Sequence, residues 1–283
     1  MVKQKFNALT LFGGLILSSN FLTLLSILSS FIALSLASIS DLKHREVSDV
    51  IWVFYGLTSL SLNLVKLLIN ANDLWFSIIS IFLTSFISFL LFEAGFFGGA
   101  DFKAMICLAL ALPLYPKTST LGGFTHPFFP LATLYNAFLF SCIYPIYILA
   151  RNTSYFKKNK KIFNGLVQEP KWKKFLALAS GYKEDFSKVE KSIHLYPMEE
   201  IIWINNKPLR KLRLIFNAEL DREKLLENIK DAFAKGVVLK TIWVTPGLPM
   251  ILFITLSFIV NLFFGDALAW LIKLFFSYFL SKI

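Results

Sequence analysis

The sequence predicts a mainly α fold: a polytopic membrane helix bundle of about six transmembrane helices with a small inserted α+β domain. Three observations carry that expectation. Of 283 residues, 56% are hydrophobic, 16% aromatic and only 17% charged, with a mean hydropathy of +0.63, whereas soluble chains carry roughly 25% charged residues. The uncharged residues gather in long runs of the kind a hydrocarbon core requires. The charge is also local, because 20 of the 29 Lys and Arg and 11 of the 18 acids fall between Arg151 and Lys240, a net +9 of the chain's +11. A basic segment suits nucleic acid too, but beside membrane spans it marks the cytoplasmic side, so no nucleic-acid partner is expected. Cys107 and Cys142, both in apolar stretches, are too few for a disulfide scaffold or a cysteine zinc site. His44, His126 and His194 are too scattered for a histidine metal cluster, so no metal or cofactor is expected.

Taken in order, residues 6–40 carry no charge, a stretch longer than the ~20 residues one spanning helix needs, and the first span is centred on 21–39. Lys3 and Lys5 ahead of it fit a secretory signal, but the apolar run is too long for one and ends in no small-residue cleavage site. Further spans are expected at 50–68, 74–92, 104–115, 128–150 and 248–264. The fourth is short, interrupted by Pro113 and Pro116, and needs shielding by its neighbours. The terminal stretch 265–283 either lies at the interface or forms a partial seventh span. Residues 151–245 differ in composition and read as a domain inserted after the fifth span. Within it, runs 199–205 and 212–217 joined by Asn206-Lys207-Pro208 suggest a β-hairpin. Residues 221–235 have helical spacing with Gly236 as a stop, 237–244 read as a closing strand, and 157–191 stay unassigned. The chain therefore divides into a membrane bundle (1–150), a basic domain (151–245) and a last span with a terminal apolar helix (246–283).

Crossing parity fixes which charges share a side. The loops 41–49 and 93–103 and the basic domain are each two spans apart, and their common side holds 23 Lys and Arg against six on the other. The tight group Arg151, Lys157, Lys158, Lys160 and Lys161 follows the fifth span directly. The positive-inside tendency puts that side in the cytoplasm and the N-terminus outside. The sequon Asn152-Thr153-Ser154 is discounted on the same ground.

Two acids stand at span ends on this shared face, Asp41 after the first helix and Asp101 before the fourth. An acid at a helix N-terminus is explained by capping, which covers Asp101 and also Asp49. An acid at a helix C-terminus opposes the macrodipole, so Asp41 is the harder one to explain structurally. Carboxylates near hydrocarbon are functional candidates, and Glu93 competes for the role. Two carboxyl groups within hydrogen-bonding distance cannot both ionise easily, and the shared proton is the basis of aspartic protease chemistry. Gly98 and Gly99 ahead of Asp101 allow close backbone approach. Lys43, Arg45 and Lys103 flank the two acids; anchoring at headgroups is favoured over pKa tuning for Lys43 and Arg45.

At these residues the sequence resembles the archaeal preflagellin and prepilin peptidases, membrane aspartic proteases of the type IV prepilin peptidase family. Asp41-Leu-Lys43-x-Arg45-x-Val47 resembles the family's first catalytic segment, and Gly98-Gly99-Ala100-Asp101-x-Lys103-Ala104 its Gly-x-Gly-Asp segment, with Ala100 in place of the glycine before Asp. Thr245-Pro246-Gly247-Leu248-Pro249 is similar to a feature of archaeal members. The resemblance covers about 25–115 and 245–264. It implies Asp41 and Asp101 as the catalytic pair, the lipid bilayer as the setting, and archaellin or pilin-like precursors as substrates, cut to remove a short basic leader at the cytoplasmic membrane face.

Two other functions use the same acids. A signal-peptide-peptidase-like protease also pairs Asp with Gly-x-Gly-Asp, but that family is expected to show Tyr-Asp where this chain has Ser40-Asp41. A transporter would use Asp41, Glu93 and Asp101 for protons or cations, although the two halves show no internal repeat. A membrane scaffold whose basic domain docks to anionic lipid or a partner is compatible with catalysis.

Overall fold

The computed structural model describes residues 19–69, 71–116, 126–158, 163, 165–166, 169–204, 207–213, 220–237 and 241–280. Two compact units emerge. Unit 1 takes in the chain through Phe140 and from Pro249 onward, and unit 2 is Ser141–Leu248.

Unit 1 is helical: α1 (Ser19–His44), α2 (Asp49–Ile69), a 3₁₀ turn (Ala71–Asp73), α3 (Leu74–Glu93), α4 (Gly99–Ala111), α5 (Phe129–Ser141), α10 (Met250–Phe264) and α11 (Ala267–Leu280). Their side-chain pattern inverts that of a soluble bundle. On α3 the buried residues are Ser77, Ser80, Thr84 and Ser88, three or four positions apart, while Trp75, Phe76 and Phe82 face outward. Small polar residues let helices approach closely where lipid supplies no hydrophobic drive between them. Ser38 Oγ and Thr255 Oγ1, 2.8 Å apart, tie α1 to α10 in this way.

Four helical segments are long and apolar enough to cross a membrane, Ser19–His44, Asp49–Ile69, Ala71–Glu93 and Phe129–Lys157, and a fifth is obtained if the pair α10 and α11, bent by 63°, counts as one. The six-span count is therefore not reproduced. The difference is α4, which at 13 residues is too short to cross alone. It sits at the centre instead, packed against α1, α2, α3 and α10, with Ala104, Met105, Leu108, Ala109 and Ala111 fully buried. Its neighbours satisfy its ends: Lys103 Nζ reaches Asp49 Oδ1 at 2.5 Å, and Lys66 Nζ donates to Ala111 O at 3.1 Å.

Unit 2 contains α6 (Ile143–Lys158), α7 (Lys171–Ser180), β1 (Tyr182–Asp185), α8 (Phe186–Lys191), β2 (Leu195–Pro197), β3 (Glu199–Ile204), β4 (Lys207–Leu212), α9 (Leu220–Ala234) and β5 (Thr241–Pro246). An antiparallel sheet of order β1-β5-β2 is joined by the separate β3-β4 hairpin. Strand β5 is central rather than closing. Ile242 and Val244 enter one core with Val189, Ile201 and Ile229. Trp243 enters another with Leu166, Ala177, Met198 and Leu212. Burial on both faces is why the strand reads as a continuous apolar run.

The hairpin has a different second strand from the expected 212–217. Glu199–Ile204 pairs with Lys207–Leu212, Trp203 opposite Pro208, and 214–217 lie outside the described residues. A two-stranded ribbon has edges on both sides, so it admits the Lys and Pro that argued for a turn. Gly236, at φ 85°, ends α9 with Val237 N–H donating to Ala232 O at 3.0 Å, a Schellman closure. Asn152 of the sequon is buried, donating to Leu178 O at 2.8 Å and Gly181 O at 2.7 Å, so it is a structural residue.

Gly181 is fixed by space. A Cβ there would lie 2.3 Å from Met198 Sδ and 2.6 Å from Val244 O, a backbone atom that cannot step aside. Gly181→Ala is expected to destabilise unit 2 by about 1–3 kcal/mol or more, read as earlier thermal loss of hydrogen-exchange protection at Val244.

Candidate functional site

The site grows from two helix ends at the same pole of unit 1. Helix α1 ends where Arg45 N–H donates to Asp41 O at 3.0 Å with Arg45 at φ 59°. This single-bond left-handed cap usually takes Gly. Among the described residues Arg45 is the one non-glycine with positive φ, a conformation costing of order 1–3 kcal/mol. Ser40 Oγ donates to Glu46 O at 2.7 Å and secures the turn. Asp41 thus sits in the last turn of α1, half-buried.

Helix α3 is closed by Gly95 at φ 76°, with Phe96 N–H donating to Leu91 O at 2.9 Å. Phe97 is buried and stacks on Phe138 at 5.7 Å, fixing the loop before α4. The chain then enters α4 with Gly98 extended as the N-cap. Gly98 N–H donates to Asp101 Oδ2 at 2.9 Å, so Asp101 holds the turn from the third helical position.

The electrostatics join the two ends. Asp101 lies in the first turn of α4, outside the helices long enough to span. Burial pushes its carboxyl up to about 7; the Gly98 N–H draws it down, the negative charge of Asp41 raises it, and the Arg45 guanidinium lowers it. Desolvation outweighs the bond from Gly98. The structure therefore brings Asp41, Arg45, Gly98 and Asp101 into one electrostatic neighbourhood.

The other expected residues fall differently. Lys103 pairs with Asp49, which therefore does more than open α2. Lys43 and Glu93 are exposed. The Arg45 charge also reaches Asp101 and lowers its carboxyl, in the direction of the tuning role weighed for it from sequence. Its signal was available, four residues after Asp41 and just past an apolar run, but its left-handed backbone was not. Of the residues before Asp101, a Cβ on Gly99 would meet nothing within 4 Å, one on Gly98 would touch only Asp101 Oδ2 at 3.5 Å, and Ala100 is half-buried. The glycines thus leave open space beside the acids and do not bring another helix close.

A third acid between apolar runs, Asp266, has a structural role. It accepts from Ala269 N–H at 3.0 Å and from the Tyr135 hydroxyl, while Asn136 accepts from Leu268 N–H at 2.9 Å. These bonds cap α11 at the bend. Among the described residues no group of three or more His, Cys, Asp and Glu could hold a metal ion.

The fold and these helix ends define a multi-pass membrane protein with a small α+β unit, carrying two interacting carboxyl groups at one end of its bundle. Residues 28–146 match the family model described as Type IV leader peptidase family, and residues 173–267 match Archaeal Peptidase A24 C-terminus Type II. The chain is 30% identical over 243 residues to a preflagellin peptidase of Methanocaldococcus jannaschii, covering 83% of this chain and 92% of that protein. Preflagellin peptidases of Methanococcus voltae and Methanococcus maripaludis are 28% and 29% identical, each over 83% of this chain and 93% of theirs. The chain belongs to the type IV leader peptidase family, and it is a protease. The signal-peptide-peptidase-like and transporter readings find no support in these relatives.

Proposed function

We propose that this chain is a membrane-embedded aspartic endopeptidase that removes the short basic leader from archaellin (preflagellin) or type IV pilin-like precursors. Asp41 and Asp101 are its catalytic pair. In this reading the N-terminus is outside, and the loops 41–49 and 93–103 and the domain 151–245 are cytoplasmic. Residues 1–150 form the peptidase bundle, and 246–283 add the last span and terminal helix. The observation that carries the proposal is the placement of Asp41, in the last turn of α1, near enough to Asp101, in the first turn of α4, for its charge to raise that carboxyl.

One carboxyl of such a pair is ionised and takes a proton from a water lying between them as the water oxygen bonds to the scissile carbonyl carbon. The protonated partner donates to the carbonyl oxygen. The neutral diol then collapses, the C–N bond breaks, and a proton passes to the leaving amine. The substrate's basic leader and the embedded helix behind it would bring the scissile bond to the depth of the two acids. The open space at Gly99 suits an extended backbone there.

The test is incubation of the purified chain with a preflagellin precursor and measurement of the product's new N-terminus by mass. A single cut just before the precursor's hydrophobic helix is expected, and an intact precursor overturns the proposal.

A pH prediction follows from Arg45. A carboxyl at about 7 is half protonated at neutral pH and loses its proton as pH rises further, so cleavage should fall on an alkaline limb that belongs to the pair. Arg45→Gln removes a charge that lowers Asp101, and the limb is expected to move to higher pH. A limb that stays put in Arg45→Gln would remove Arg45 from the electrostatics. The same shift makes folding less favourable as pH climbs from about 4 to 7, because the native state holds a proton that the unfolded chain gives up.

A further inference from the structure

Helix α7, Lys171–Ser180, is strongly one-sided. Its Ala177 is fully buried, with Leu178 beside it, against Leu166, Met198, Leu212 and Trp243. On the other side Trp172, Phe175 and Leu176 are 59%, 67% and 45% exposed. The i, i+3, i+4 spacing sets these three on one stripe. A stripe of two aromatics and a leucine left in the open points to something that covers it.

The charge around the stripe says what that is. The helix has three lysines, Lys171, Lys173 and Lys174, and no acid. Lys173 is turned inward to Glu169 Oε2 at 3.3 Å and Leu212 O at 3.4 Å, while Lys171 is exposed beside Trp172. Unit 2 as a whole holds the chain's basic excess, a net +9. Both of its ends continue into membrane helices: Phe129–Lys157 leads into it, and α10 begins at Met250 directly after it. Unit 2 is therefore tethered to the bilayer at both ends.

We infer that Trp172, Phe175 and Leu176 form a lipid-docking face, seated in the headgroup and upper acyl region of an anionic bilayer with Lys171 at phosphate level. Trp prefers that depth, and a short helix with an apolar stripe and lysine flanks is built to lie in the interface plane. Docking at this face is separate from peptide cleavage, so lipid contact without processing would leave it standing while ending the peptidase proposal.

The test uses the full chain in nanodiscs of phosphatidylcholine with phosphatidylglycerol, with a photoactivatable benzoylphenylalanine at position 175 and, as control, at position 82, where Phe82 is 69% exposed on α3. After illumination, intact mass is expected to report lipid adducts at both positions. Adducts at 175 only to protein, or none while position 82 reacts, overturn the inference. Lys171→Gln in the same background is expected to lower the lipid-adduct yield at 175 about fivefold, from ~1 kcal/mol per lysine at an anionic surface, and to leave it unchanged in pure phosphatidylcholine. Equal yields in both discs remove Lys171 from the docking.

Discussion

Asp41→Asn and Asp101→Asn are each expected to cut preflagellin processing by about 10²–10⁴-fold or more, the range in which positioned acid–base groups act, while membrane insertion is unchanged. The exchange is nearly isosteric, and the amide at 101 can still accept the Gly98 N–H that Asp101 takes at 2.9 Å. Loss of cleavage with retained folding then isolates proton transfer from architecture. The two variants should not be additive, because a pair that shares one proton fails as a unit. Product formation is read by mass, and insertion by the protease-resistant pattern of the bundle. Retained processing in either variant ends the assignment. The single variants also differ in a second way: Asp41→Asn removes a charge that raises Asp101, so the remaining carboxyl should titrate lower than in the native chain.

Glu199→Ala is expected to unfold unit 2, at a cost of about 3–5 kcal/mol, because it strands a charge. Glu199 is fully buried. It receives Arg210 through two bonds of 2.7 Å and 2.8 Å and the Trp243 N–H at 2.7 Å, linking β3, β4 and the central strand. Removing the carboxylate leaves the guanidinium and a buried backbone donor without it. Glu199→Gln keeps an acceptor and should cost less. Limited proteolysis of the whole chain checks this, with cuts expected within Ser141–Leu248 and an intact bundle. An uncut Glu199→Ala variant would mean that the unit holds together through its two apolar cores alone.

The extent to which this was legible in the sequence follows from the physics of each element. The spans announced themselves because lipid forbids charge over long runs, and the two acids stood out because they broke those runs. Helix α9 was readable from its 3.6-residue spacing and from Gly236. Strand β4 was missed because its own residues, Lys207-Pro208-Leu209-Arg210-Lys211-Leu212, are those of an exposed edge, and Arg210 is placed by a partner eleven residues earlier rather than by local pattern. The central position of β5 was likewise hidden, since pairing to β1 and β2 is long-range. At the site, the acids were visible and their neighbour Arg45 was visible, but a left-handed arginine has no sequence signature. The pairing of Lys103 with Asp49 joins residues 54 apart and could only be seen folded.

The shortness of α4 reaches beyond packing. Thirteen residues rise about 20 Å against a hydrocarbon thickness of ~30 Å. Its first turn meets Asp49 at the start of α2, and just past its other end a cavity of about 260 Å³ is lined by Asn63, Lys66, Asp73 and Ser77. Water filling that vestibule would confine the transmembrane voltage to about two-thirds of the usual distance along this path. The field there would be about half again as strong, with Lys66 at one edge of the drop and the acid pair at the other.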